Sequence, residues 1–169
     1  MIDAFNKHYE SEYSPSWLSC IDELTNVWLN KFCPGFMSLP RKPHPFGNEY
    51  HLIADGDKGH FIMWRICLVE GKDRPRLPNG QFAFPSKWEK KGYNKTVDLL
   101  LDMTEPIHWT GKVVMGDSGF CITAGVMALH AHGVFGQFLI KKCWCWPQQV
   151  PGDQIDAYMK GKELGVVES

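Results

Sequence analysis

Twenty-one consecutive residues, Phe120 to Ile140, carry no formally charged side chain. A run of that length would cross a bilayer as a single apolar helix. It holds two His, one Gln and three Gly, however, and Gly133 and Gly136 divide it into a helical piece, Ile122 to His132, and an apolar strand, Val134 to Ile140. Both pieces are too apolar to stand in water, which predicts a buried helix-strand unit rather than a membrane span. At 169 residues and 44% hydrophobic, the chain can fill one core around that unit. Its 11 Pro and 16 Gly interrupt it too often for a helical bundle. Helices packed against a sheet are therefore expected.

Ile2, Phe5 and Tyr9, spaced three and four apart, predict a short amphipathic helix over residues 2 to 13, stopped by Ser14-Pro15. Trp17 to Leu24 reads as a strand with Trp17, Ser19 and Ile21 on one face and Leu18, Cys20, Asp22 and Leu24 on the other, so an acid shares a face with apolar side chains. Four prolines between Cys33 and Gly47 exclude a long helix and predict an extended, loop-like segment. Asn48 to Ala54 and Phe61 to Val69 flank Asp55-Gly56-Asp57-Lys58-Gly59, which predicts a hairpin. Glu70 to Gly92 has no period and exceeds an ordinary loop. Val97, Leu100 and Leu101 predict a helix over Tyr93 to Met103, ended by Glu105-Pro106. Lys112 to Gly116 reads as a short buried strand, Asp117-Ser118-Gly119 as a tight connection, and residues 153 to 164 as a further helical segment. This order predicts an α/β domain whose mixed sheet begins as an antiparallel meander and continues through parallel crossovers.

Eighteen Lys+Arg against 19 Asp+Glu leave a formal charge of −1, which excludes a histone-like role and requires any nucleic-acid binding to use a local patch or bound cations. The densest patch is Lys87, Lys90, Lys91 and Lys95 with Trp88 and Tyr93. Such a cluster would grip a DNA backbone and stack a base, and it fits equally a solvated lysine face with its aromatics packed inward. Six scattered Cys, most within apolar runs, read as reduced thiols, and Met1 to Tyr13 has no apolar signal core. The expected location is nuclear or cytoplasmic, neither secreted nor in a membrane.

Three short motifs carry less. Gly116-Asp117-Ser118-Gly119 has the form of a trypsin-like nucleophile loop, but the chain is short for two β-barrels and no suitable His-Cys motif precedes it. His130 and His132, two apart on a helix, point about 200° away from each other and do not share a zinc ion, with or without Cys143-Trp144-Cys145. Asn94-Lys95-Thr96 is a glycosylation sequon in form only.

Two carboxylates stand out by position. Asp22 lies in the first strand and Asp117 at the carboxyl end of a later one, where open α/β sheets place ligands. Together they would suit a divalent cation, since Mg²⁺ takes a few carboxylate oxygens plus substrate phosphate. Separately, Asp22 would be a hydrogen-bonded strand acid and Asp117 a helix N-cap.

Ser14-Pro15 leading to Ile21-Asp22-Glu23, then Pro40-Arg41-Lys42-Pro43 with Gly47, a hairpin, and Val113-Val114-Met115-Gly116-Asp117 followed by an aromatic and a helix resemble the catalytic core of piggyBac-type transposases. The resemblance covers most of residues 1 to 150. It implies a partial RNase H-like core there, with residues 151 to 169 as a tail or the start of the family's insertion. Members use three Asp to hold two Mg²⁺, which cut DNA at transposon ends and join the freed 3′ hydroxyl to target DNA. Asp22 matches the first acid and Asp117 the second, with Mg²⁺ or Mn²⁺ as cofactor, DNA as a weakly held partner and self-association as a further expectation. The family's Phe-x-Gly-Arg element is only partly echoed by Phe32-Cys33-Pro34-Gly35, and Ser118-Gly119-Phe120 follows the second acid where members have Asn and aromatics. Asp153, Asp156 and Glu163 do not sit in the context of a third acid. The resemblance thus implies a truncated, catalytically incomplete transposase core, or a domesticated scaffold that binds DNA or protein without catalysis.

Overall fold

The computed structural model describes residues 2–32, 36–40, 42–57, 62–69, 88, 91–140, 149–160 and 162. Most of Glu70 to Gly92, together with Lys87, Lys90, Cys143 to Cys145 and Glu163, lies outside these described residues. By its internal packing the chain divides into two compact units, residues 1–139 and 140–169.

The first unit is built on a six-stranded sheet flanked by helices. Helix α1 (Ile2–Glu12) precedes strand β1 (Leu18–Val27), followed by β2 (Phe36–Ser38), β3 (Phe46–Asp55) and β4 (Met63–Val69). Helix α2 (Lys95–Thr104) then leads through a 3₁₀ turn at Glu105–Ile107 to β5 (Val113–Gly116), α3 (Thr123–Ala131) and β6 (Phe135–Phe138). In the second unit, α4 spans Gly152–Met159. Among the described residues no helix is long and apolar enough to cross a membrane.

The sheet order is β2-β3-β1-β5-β6, with β4 also paired to β3. Strands β1, β3 and β4 are antiparallel neighbours, whereas β5 is parallel to β1 and β6 parallel to β5. The meander followed by crossovers is thus as the sequence predicts. The proline-rich segment differs from expectation: Phe36–Ser38 pairs with Phe46–Asn48 as a three-residue edge strand, a place where flanking prolines interrupt no inner ladder. Strand β1 also runs on to Val27, whose partner is Gly47. A Cβ at Gly47 would run into the Asn26 carbonyl, so glycine alone lets the strands meet there.

The core lies between one face of the sheet and helices α2 and α3. Ile21, Ile53 and Val114 from the sheet meet Val97, Leu100 and Leu101 from α2 and Leu129 from α3, all buried. Asn94 starts α2 by accepting a hydrogen bond from Val97 N–H at 3.0 Å. Helix α1 packs on β4, and Asn6 both donates to the Ile66 carbonyl and accepts from the Ile66 N–H at 2.9 Å, covering part of that backbone. At the far end of α3, Gly133 (φ 67°) faces Trp109 (φ 63°). Trp109 N–H donates to the His132 carbonyl at 2.8 Å and Gly111 N–H to the Gly133 carbonyl at 2.9 Å. A side chain at Gly133 would also put its Cβ 2.8 Å from the Trp109 Cα.

Asp55, only 5% exposed at the end of β3, ties α1 to β1. Its carboxylate accepts from the Tyr13 hydroxyl at 2.8 Å, Ser16 N–H at 2.7 Å, the Ser16 hydroxyl and Asp57 N–H at 3.0 Å. Burial alone would raise its pKa, but these donors outweigh it and hold the group at about 2. Burial, and then the bond to Asp55, push the Tyr13 hydroxyl up to about 12. Because the folded carboxyl is more acidic than the unfolded one near 3.9, its contribution is present above that value and fades as pH falls towards 2. In urea denaturation at neutral pH, Asp55→Ala should lose about 3 kcal/mol. Acidification towards pH 2 should shrink the gap from wild type, and a gap independent of pH would contradict this role.

Candidate functional site

The parallel register of β1 and β5 pairs Ile21 with Gly116. Asp22 and Asp117 are the next residues after this pair, so two acids far apart in sequence come onto neighbouring strands, Asp22 midway along β1 and Asp117 just past the end of β5. Both are exposed. The sequence places Asp22 on an apolar face, but that face is open here: Leu24, two residues on, is 44% exposed. Asp22 is therefore hydrated and does not need a buried partner. Nor is Asp117 the N-cap of α3, a position held by Ile122.

Backbone amides fix one oxygen of each acid. Glu23 N–H donates to Asp22 Oδ1 and Gly119 N–H to Asp117 Oδ1, both at 2.7 Å. The second bond closes an Asx turn over residues 117 to 119. That turn is anchored on both sides. Before it, a Cβ on Gly116 would come within 2.8 Å of the Phe138 ring and 2.9 Å of Ile21. After it, Phe120 is 3% exposed and meets the His51 ring edge-on, with centroids 5.5 Å apart.

Beside the turn lies a cavity of about 440 Å³ lined by Glu23, His51, Cys67, Lys95, Asp98 and Phe120 among others. Burial, then the positive charge of Lys95, lower the His51 pKa to about 4. Burial and the neighbouring Asp22 raise the Cys20 thiol. Sequence reasoning did not single out His51, Phe120 or Gly116 as supports. The available signal was the period-two alternation that puts His51 on the face of Ile53. Among the described residues, no group of three or more His, Cys, Asp or Glu comes together to hold a metal ion.

The lysine and aromatic cluster is only partly described. Trp88 is 3% exposed within the core, its ring against Tyr93, His108 and His132. Its aromatic surface is thus spent on packing, as the inward-facing alternative has it, and offers no platform to a base. Tyr93 is half-buried against the same core. Lys91 is exposed, with its ammonium 4.4 Å from the centre of the Trp88 ring, and Lys95 is exposed at the start of α2.

A family model described as Transposase IS4 matches residues 1–162. No curated protein matches the chain. Among solved structures, the fold resembles a piggyBac transposase synaptic complex with hairpin DNA, with a TM-score of 0.64 at 15% sequence identity. That likeness covers 89% of this chain and 28% of the other, so the chain spans under a third of the protein it resembles.

The depressed His51 pKa has a measurable consequence. The fold favours the neutral ring, so stability is full above the unfolded value near 6.5 and is lost as pH falls through about 4. Thermal melts should therefore decline across that window for wild type and decline less for His51→Gln. Parallel curves would assign the decline to other groups.

Proposed function

Because the chain belongs to the Transposase IS4 family, we propose that Asp22 and Asp117 are the first and second acids of a transposase-derived site for Mg²⁺ or Mn²⁺ acting on DNA. The observation that supports this reading is the Ile21–Gly116 pairing, directly after which the two acids follow on neighbouring strands. Two exposed carboxylates are hard oxygen donors, the kind such cations select. Each has one oxygen held by a backbone N–H, which orients the other. When bound, a divalent cation supplies Lewis-acid polarisation of a phosphoryl oxygen and activation of the attacking hydroxyl. The chain's own residues supply the docking point: the Asx turn holds Asp117, while Phe120 and Gly116 keep the turn against the sheet.

Two carboxylates leave most of the coordination shell to water and substrate, so affinity without DNA should be weak. Calorimetric titration with Mn²⁺ should give heats for wild type that disappear in Asp22→Asn and Asp117→Asn. Equal heats from all three proteins would mean that the acids do not hold the cation, and would favour the family fold retained as a DNA- or protein-binding scaffold.

DNA is the proposed partner, with the nucleus as the place of action, and at a net charge of −1 its grip depends on Lys87, Lys90, Lys91 and Lys95. Fluorescence anisotropy across a salt series should show weak binding with a modest slope. Changing these four lysines to Gln should flatten the slope by about 0.9 for each phosphate they neutralise in the wild type. An unchanged slope would show that the lysines touch no phosphate.

A further inference from the structure

Strand β6 ends the sheet at the β5 side and has no strand on its outer edge among the described residues. Phe135 N–H donates to the Lys112 carbonyl and Leu139 N–H to the Gly116 carbonyl, so Phe135, Gln137 and Leu139 face their backbone groups towards β5. Gly136 and Phe138 consequently direct theirs outwards. Exposed edges ordinarily carry a charge, a proline or a bulge that discourages pairing. Phe135-Gly136-Gln137-Phe138-Leu139 has none of these.

Side chains of the strand itself leave the edge open. On the core face the Phe138 ring folds back over Gly116 and Gly136, so that a Cβ on either glycine would meet it at 2.8 and 2.6 Å respectively. It thus leans away from the outer edge. On the opposite face Phe135 is 49% exposed, Gln137 is exposed and Leu139 is 63% exposed.

We infer that this edge pairs with the same edge of a second copy of the chain, as an antiparallel ladder centred on Gln137. The sequence is self-complementary in that register. Gly136 and Phe138 of each copy would exchange their outward N–H and carbonyl groups with Phe138 and Gly136 of the other. On the open face Phe135 would meet Leu139 twice, and the two Gln137 amides would lie opposite each other. Charge permits the approach, since nothing from Phe135 to Ile140 is ionised. Four- or five-residue edges bury far less than the ~800 Å² per partner of a standard interface, so the dimer should be weak, with a dissociation constant on the order of 100 μM.

Sedimentation equilibrium of the full chain from about 10 μM to about 1 mM would read this association. Gln137→Lys and Gln137→Glu change an exposed side chain, and circular dichroism would verify that both fold. Each alone should dimerise about fivefold more weakly than wild type, because like charges meet across the two-fold axis, and an equimolar mixture should associate about fivefold more tightly. A wild type that stays monomeric throughout, single variants that dimerise as wild type does, or a mixture no tighter than its components would each overturn the pairing.

Discussion

Strand β1 is hydrogen-bonded along both edges, antiparallel to β3 on one side and parallel to β5 on the other. A strand so held has no freedom to slip, because a one-residue shift would turn Ile21 out of the core and Asp22 into it. The β3 ladder fixes β1 over nine residue pairs. Only then can four pairs with β5 set where Asp117 stands. The long antiparallel ladder supplies rigidity, and the short parallel one spends it on placement.

The helices complete that arrangement from one face. Leu100 and Leu101 of α2 and Leu129 of α3 press on Ile21, Ile53 and Val114, so the central strands are clamped between their neighbours and a packed layer. Phe120 belongs to the same layer while it closes the turn that begins at Asp117. Packing and site geometry thus share a residue. The cavity beside it contains His51 in a setting that favours the neutral ring, which keeps a positive charge out of the space between sheet and helix.

Much of this was legible in the sequence because its signals are local. The Ile2, Phe5, Tyr9 spacing, the Val97, Leu100, Leu101 stripe and the glycines at 133 and 136 each marked an element, and the element order implied the mixed sheet. Asp22 and Asp117 drew notice by their places in the chain and by family resemblance, whereas the register that puts them on neighbouring strands is not readable locally. What escaped depends on partners distant in the chain. Strand β2 exists because Phe46–Asn48 offers it an edge, and local proline content argues the other way. Asp55 looked like a turn residue; its burial and four donors come from residues 13, 16 and 57, two of them in another element's approach. Trp88 sat among lysines in sequence, while its ring belongs to a cluster with His108 and His132.

Two fastenings of the first unit lie near the starts of the parallel strands, and the acids lie further along them. Asp55 pairs in register with Ser19, near the start of β1, and the facing left-handed turns at Trp109 and Gly133 precede β5 and β6. Asp22 stands midway along β1 and Asp117 just past the end of β5, both exposed and each bonded to a local amide. Substitution of either acid therefore leaves these fastenings untouched, whereas substitution at Asp55 or Gly133 strikes the frame itself.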